Sequence, residues 1–120
     1  MKKIGLVAIG SYVPEQKLTN ADLEKMVDTT DEWITTRTGV KERRIAPEGI
    51  YASDLAVKAA EDCLAKTTYR PRLLISSTST AEKSCPYQAS IVAHKLNLTN
   101  LAAFDLNAAC SGLVYSLAVA

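Results

Sequence analysis

Apolar and polar positions alternate in blocks along the chain, and the period changes from block to block. The run IGLVAIG is short and continuously apolar, and residues 3–9 are read as a buried first strand. After a loop containing Pro14, TNADLEKMV places Leu23, Met26 and Val27 on one helical face, with Thr19 or Asn20 as its cap. TTDEWITTRTG repeats the arrangement, with Asp31 and Glu32 in a first turn and Gly39 just past the last. VKERRIA predicts a polar extended segment. The clearest helix is YASDLAVKAAEDCLAK, with Ser53 as candidate N-cap and a stripe of Leu55, Ala56, Ala59, Ala60, Cys63 and Leu64. RLLISSTST then predicts a strand that turns polar at its carboxyl end. CPYQASIVAHKLNL predicts a helix with Pro86 at its first position. LAAFDL is another buried strand, and CSGLVYSLAVA opens a last helix.

Strands alternating with helices imply βαβ units, here a mostly parallel sheet of about four strands packed by helices. In such sheets ligands sit beyond the carboxyl ends of the strands, and both STSTAEKS and NAAC lie there. Leu113, Val114, Leu117 and Ala118 need a partner layer, and no capping residue follows Ala120. The expectation is one domain over residues 1–120 that forms about half of a larger fold, cut within its last helix.

Composition narrows the function classes. A hydrophobic content of 48% suits a globular chain, and a net charge of +1 gives no electrostatic reason to invoke nucleic acid or an anionic membrane. No window approaches the roughly 18 continuous apolar residues of a membrane span. The apolar amino-terminal run is followed by polar PEQKLTN without a small-residue cleavage site, so it reads as a strand and not as a signal peptide. Three cysteines form no CxxC pair, and a single histidine leaves no zinc set. Free thiols in a reducing cytoplasm are the expectation.

Cys110 stands where LAAFDL gives way, through two alanines, to helical spacing. Taken alone, a cysteine among alanines is more often a small buried hydrophobe than a nucleophile. The first turn of a helix, however, favours a thiolate and offers backbone N–H groups to an oxyanion. Gly112 and the alanines leave room for a substrate to approach. Both readings stay open on this ground. Cys63 lies on an apolar stripe and reads as core. Cys85 precedes Pro86 in a loop and reads as structural or exposed, or as lining a pocket. His94 reads as a solvated surface residue. Trp33 and Arg37, four apart, share a helix face. An indole and a guanidinium there suit a nucleotide, and equally suit a half-buried tryptophan covered by an arginine stem.

GSYVPEQKLTNADLEKMVDTTDEWITTRTGVKERRIA, together with FDLNAACSGLVYSLAVA, resembles the amino-terminal portion of the β-ketoacyl-acyl carrier protein synthase III family. These condensing enzymes start bacterial and plastid fatty-acid synthesis, and the match runs nearly from end to end. The resemblance implies an α/β, thiolase-like fold made of two similar halves, with Ala120 inside the central helix between them. It implies that Cys110 is the acyl-accepting nucleophile, its own N–H forming part of an oxyanion hole. Trp33 and Arg37 would hold the adenine of coenzyme A between them, with Thr29 a further adenine contact. The loop at Cys85 would cross a homodimer interface and touch the partner's acyl pocket. Many relatives carry phenylalanine there, so a cysteine points to a roomier pocket. No cofactor is implied; coenzyme A thioester is a substrate, and acyl carrier protein the partner. A histidine and an asparagine of the family, which assist decarboxylation, belong to the carboxyl-terminal half, and His94 does not match that histidine's motif.

Competing expectations are a polyketide-starter or other thiolase-fold acyltransferase, and a non-catalytic assembly subunit. Retention of cysteine in AACSG speaks against the last. A free-standing redox thiol is weakest, since no second cysteine is placed to resolve it.

Overall fold

The structure, a computed structural model, describes residues 5–120. The chain divides into two compact units, one formed by Val13–Ile50 and the other by the chain on either side of it. Among the described residues no helix is long and apolar enough to cross a membrane.

In the Val13–Ile50 unit, strand β1 (Lys17–Thr19) leads directly into helix α1 (Asn20–Glu24), followed by α2 (Asp31–Thr38) and β2 (Glu42–Arg44). β1 and β2 pair antiparallel, Leu18 opposite Arg43. Thr19 is the α1 cap: its hydroxyl accepts the Asp22 N–H while the Asp22 carboxylate accepts the Thr19 N–H, a reciprocal capping box. That assignment leaves Asn20 free for another task. Helix α1 ends at Glu24, earlier than the apolar spacing predicts, and Met26 and Val27 are exposed. Their shared face has nothing to pack on within the unit. α2 follows expectation. Thr30 Oγ1 accepts the Trp33 N–H at its start, and Gly39 ends it in the left-handed region at φ 71°, where a Cβ would be strained. Ile34 supplies the buried apolar side chain.

The second unit holds α3 (Ala52–Leu64), β3 (Leu73–Ser76), α4 (Gln88–Lys95), β4 (Ala102–Asp105) and α5 (Gly112–Val119), the last preceded by a 3₁₀ turn at Ala109–Ser111. β3 and β4 pair in parallel, with Ser76 opposite Asp105, so β3–α4–β4 is a βαβ unit. α4 packs against α3 and both strands, and buries Ala89, Val92 and Ala93. The stripe on α3 is only half-buried.

Four sequence expectations are corrected. The sheet is not a four-stranded parallel one: among the described residues there are two separate two-stranded pieces, one parallel and one antiparallel. The predicted first strand covers residues 3–9, of which 3 and 4 lie outside the described residues. Its described part makes no ladder, and Leu6, Val7 and Ile9 are exposed. The chain here runs along α3 instead. Lys66 Nζ donates to the Ile9 carbonyl at 3.0 Å, the Ser11 N–H donates to Asp62 at 2.9 Å, and a Cβ on Gly10 would overlap the Ala59 carbonyl. An apolar run predicts a strand only if a ladder partner is supplied, and periodicity does not say where one lies. The α3 cap is Tyr51 rather than Ser53, which sits inside the helix, fully buried. Pro86 precedes α4, whose cap position is Tyr87.

What caps α4 comes from across the sheet. Asp105, at the end of β4, accepts the Gln88 N–H on Oδ2 at 2.9 Å and the Ala89 N–H on Oδ1 at 2.7 Å. Two orphan donors of the helix are thereby satisfied by one carboxylate, which also complements the helix dipole. Replacing Asp105 by alanine is expected to cost about 1 kcal/mol or more of stability, read as a lower midpoint in urea unfolding.

Acid sensitivity follows from the ion pairs. The Lys95 ammonium, and then the Tyr51 N–H, hold the Asp54 carboxyl below its ordinary value of 3.8. Thr19's hydroxyl and N–H do the same for Asp22. Carboxylates depressed in the folded state stabilise it above about pH 4, and this stabilisation is lost as pH falls through the lowered values, where the unfolded chain has already bound the proton. The urea midpoint is expected to fall with pH in that window. Lys95→Met should flatten the fall by returning Asp54 toward its ordinary value.

Candidate active site

The carboxyl ends of β3 and β4 lie side by side, and each releases a segment singled out in the sequence. β3 leads through Ser77 into the loop that carries Cys85; β4 leads through Asn107 to Cys110. The ladder extends one step past the strands, the Leu106 N–H donating to the Ser76 carbonyl at 2.8 Å.

Cys110 sits in the 3₁₀ turn, one turn ahead of α5 rather than in the first turn of the α-helix itself. The reversal from strand to helix is taken up at Ala109, whose φ of 45° lies in the left-handed region that a residue with a Cβ rarely adopts. Such a conformation costs on the order of 1 kcal/mol and persists only where the surroundings impose it. Its consequence is a thiol carried at the tip of a sharp turn and exposed. The Ser111 N–H donates to Ala108 and the Gly112 N–H to Ala109. The N–H of Cys110 itself has no acceptor among the described residues.

Gly112 has a packing task that the sequence does not show. It is buried, and a Cβ there would overlap Ser77 Oγ. The missing side chain makes room for the exit of β3. Beyond it, Leu113, Val114, Tyr115, Leu117 and Val119 of α5 are all more than half exposed, as expected of a helix without its partner layer.

The Cys85 loop is tied down three residues earlier. Glu82 Oε2 accepts the Ser53 hydroxyl at 2.8 Å, Ser53 Oγ accepts from Lys95 Nζ at 2.9 Å, and Lys95 also pairs with Asp54 at 2.7 Å. Ser53, read from sequence as a cap, is thus the buried pin between this loop, α3 and α4. Cys85 is exposed, Cys63 is half-buried on α3, and His94 is exposed on α4. Among the described residues no group of histidine, cysteine and carboxylate side chains gathers to hold a metal.

Thr29, Trp33 and Arg37 come together within the Val13–Ile50 unit. The Arg37 guanidinium carbon lies 4.5 Å from the centre of the Trp33 ring, a cation–π contact. Trp33 is half-exposed between two hollows. One, of about 410 Å³, is lined by Asp28, Thr29 and Thr30 with the indole; the other, of about 300 Å³, by Thr30, Glu32, Thr36 and Arg37 with it. A flat base between indole and guanidinium needs about 7 Å, two aromatic contact distances of about 3.5 Å. At 4.5 Å the pair is closed on itself, so admitting a base requires Arg37 to move away from the indole.

Asn20 was read from sequence only as an alternative cap, and Ser77, Glu82 and Asp105 were not singled out. A signal existed for Asn20 alone: TNAD is a capping box, which assigns the cap to Thr19. The rest act across elements distant in sequence.

No family model matches the chain. It is 50% identical over 121 residues to a β-ketoacyl-[acyl-carrier-protein] synthase III of Campylobacter jejuni, covering 98% of the chain and 37% of that protein. The solved structure of the Thermus thermophilus β-ketoacyl-[acyl carrier protein] synthase III covers 98% of the chain at 46% identity with a TM-score of 0.90, and the chain covers 37% of it. A priming β-ketosynthase of the R1128 polyketide pathway matches at 34% identity and a TM-score of 0.88, over 94% of the chain and 35% of its own. The fold is therefore the thiolase-like one over this stretch, and the chain spans about 37% of the length of the curated relatives it matches.

Replacing Gly112 by alanine is expected to destabilise the chain by about 1–3 kcal/mol through overpacking on Ser77. Ala109→Gly should stabilise it by about 1 kcal/mol by relieving the turn. Thermal unfolding followed by circular dichroism reads both.

Proposed function

The chain is a homologue of β-ketoacyl-[acyl-carrier-protein] synthase III along nearly its whole length, and on that premise we propose that it is the nucleophile-bearing part of an initiating condensing acyltransferase. The observation that carries the reading is Cys110, an exposed thiol at a strained strand-to-helix turn within the AACSG motif, its own N–H without an acceptor among the described residues.

In the first half-reaction the Cys110 thiolate attacks the carbonyl carbon of an acyl-coenzyme A. A carbon–sulfur bond forms to Sγ and the carbonyl oxygen becomes an oxyanion, toward which the Cys110 N–H is available as a donor. Collapse breaks the bond to the coenzyme A sulfur, which leaves as a thiolate and takes up a proton. Trp33, Arg37 and Thr29 would hold the adenine end, the first two parting to admit the base. In the second half-reaction malonyl-acyl carrier protein loses carbon dioxide. Its carbanion equivalent attacks the Cys110 thioester and expels the Cys110 thiolate, giving 3-oxoacyl-acyl carrier protein. The histidine and asparagine that the family uses there are not among the residues matched here, and His94 is given no role.

The same reading makes coenzyme A a substrate rather than a cofactor, acyl carrier protein a partner, the assembly a homodimer with the Cys85 loop at its interface, and the compartment the cytoplasm. A polyketide-starter role is the second reading, supported by the likeness to a priming β-ketosynthase.

The test is intact mass before and after incubation with acetyl-coenzyme A, followed by peptide mapping. One acetyl group on Cys110, absent in Cys110→Ala, is the expected result. No adduct, or an adduct on Cys63 or Cys85 instead, would count against it. Repeating the incubation with longer and branched acyl-coenzyme A thioesters separates the starter reading from the first.

A further inference from the structure

The Trp33–Arg37 pair is exposed, so its geometry has to be set from the other side of α2. Residues two apart on an α-helix point about 200° from one another. Asp31 and Thr35 therefore face away from Trp33 and Arg37, one turn matched to one turn. Both of them meet Asn20.

Asn20 is 2% exposed, and its side-chain amide is fully engaged. Nδ2 donates to Asp31 Oδ1 at 2.7 Å and to the Val40 carbonyl at 2.8 Å, with Thr35 Oγ1 at 3.4 Å. Oδ1 accepts from Arg43 Nη2 at 2.7 Å, and the Asn20 N–H donates to the Lys41 carbonyl at 3.2 Å. One buried side chain thus touches the inner face of α2, the chain just after it, and β2. An amide is the side chain that can donate to a carboxylate and a carbonyl while accepting from a guanidinium. A carboxylate at this position would meet Asp31 and the Val40 carbonyl with no hydrogen to give, and an apolar residue would remove the shared partner of Asp31, the Val40 carbonyl and Arg43, leaving Asp31 its bond from Thr35 and Arg43 its bond to the Leu18 carbonyl.

We infer that Asn20 is a positioning residue for nucleotide binding: by locking the Asp31–Thr35 face of α2 it fixes the rotation that presents Trp33 and Arg37 as a pair. The inference rests on the coenzyme A reading for the identity of the ligand, while the locking itself can be read without any ligand. Trp33 is the only tryptophan in the chain, so its emission reports the pair directly.

The experiment compares the full chain with Asn20→Asp, Asp31→Asn and the double variant. It measures Trp33 emission and acrylamide quenching, the affinity for coenzyme A, and the rate at which iodoacetamide alkylates Cys110. Asn20→Asp is expected to shift emission, raise quenching and weaken coenzyme A about tenfold or more, as loss of a charge-assisted bond implies. Cys110 alkylation should stay at the native rate. Asp31→Asn alone should change little, because its amide oxygen still accepts from Asn20. The double variant restores a donor–acceptor pair between positions 20 and 31 with the polarity reversed, while the Val40 carbonyl still faces a carboxylate, and should recover emission and affinity in part. Native emission and affinity in Asn20→Asp, or no recovery in the double variant, would overturn the inference. If Asn20→Asp does not fold, the double variant decides in the same way. If the native chain leaves coenzyme A unbound, the ligand reading falls, and the ligand-free emission of the variants still decides the role of Asn20.

Discussion

The carboxylate of Asp105 takes the first two N–H groups of α4 and so fastens the end of β4 to the start of the helix that precedes it in the chain. Through this contact a βαβ unit becomes a fixed frame. β3 and β4 are held in register up to Ser76 and Asp105, and the two segments that leave their carboxyl ends start from neighbouring points. Everything attributed to Cys110 and to the Cys85 loop depends on where those exits lie. α4 carries most of the small buried core, so a loose α4 would release both strands at once.

From that frame the turn at Cys110 follows by exclusion. β4 has to give way to α5 within a few residues, and Gly112 has to lie against Ser77 at the exit of β3. The reversal is then forced into Ala109, at a positive φ that alanine does not favour. Strain at one residue accompanies a thiol held at the tip of the turn, its own N–H without an acceptor among the described residues. Sequence pattern located Cys110 at the strand-to-helix switch, but it could not tell an α-helical first turn from a separate 3₁₀ turn. That distinction depends on a contact between residues 35 positions apart, and no local propensity records it.

The Val13–Ile50 unit places its candidate site residues in another way. Here two side chains are displayed on the outside of a helix, and precision comes from a buried polar residue on the inside. A hydrogen-bonded amide fixes rotation more sharply than an apolar contact would, because its donors and acceptor have directions. The unit has little apolar interior besides Ile34, so this polar hub carries a larger share of its order than it would in a thick core.

The sequence by itself determined the order of the helices, the start and end of α2, the narrowing of the α1 cap to Thr19 or Asn20, and the placing of Trp33 and Arg37 on one helix face. These are short-range matters, settled by side chains within four residues of the groups they act on. It also carried the family likeness, because DEWITTRTG and AACSG are contiguous. Only the tertiary structure decided that the residues 3–9 run has no ladder over its described part, that Ser53 is a buried pin and not a cap, that Asp105 caps a helix 16 residues before it, and that Gly112 serves packing. Each of those outcomes turns on which distant group satisfies a backbone donor or fills a gap. Periodicity tells how a segment divides its faces, but the partner each face meets is chosen when the chain closes on itself.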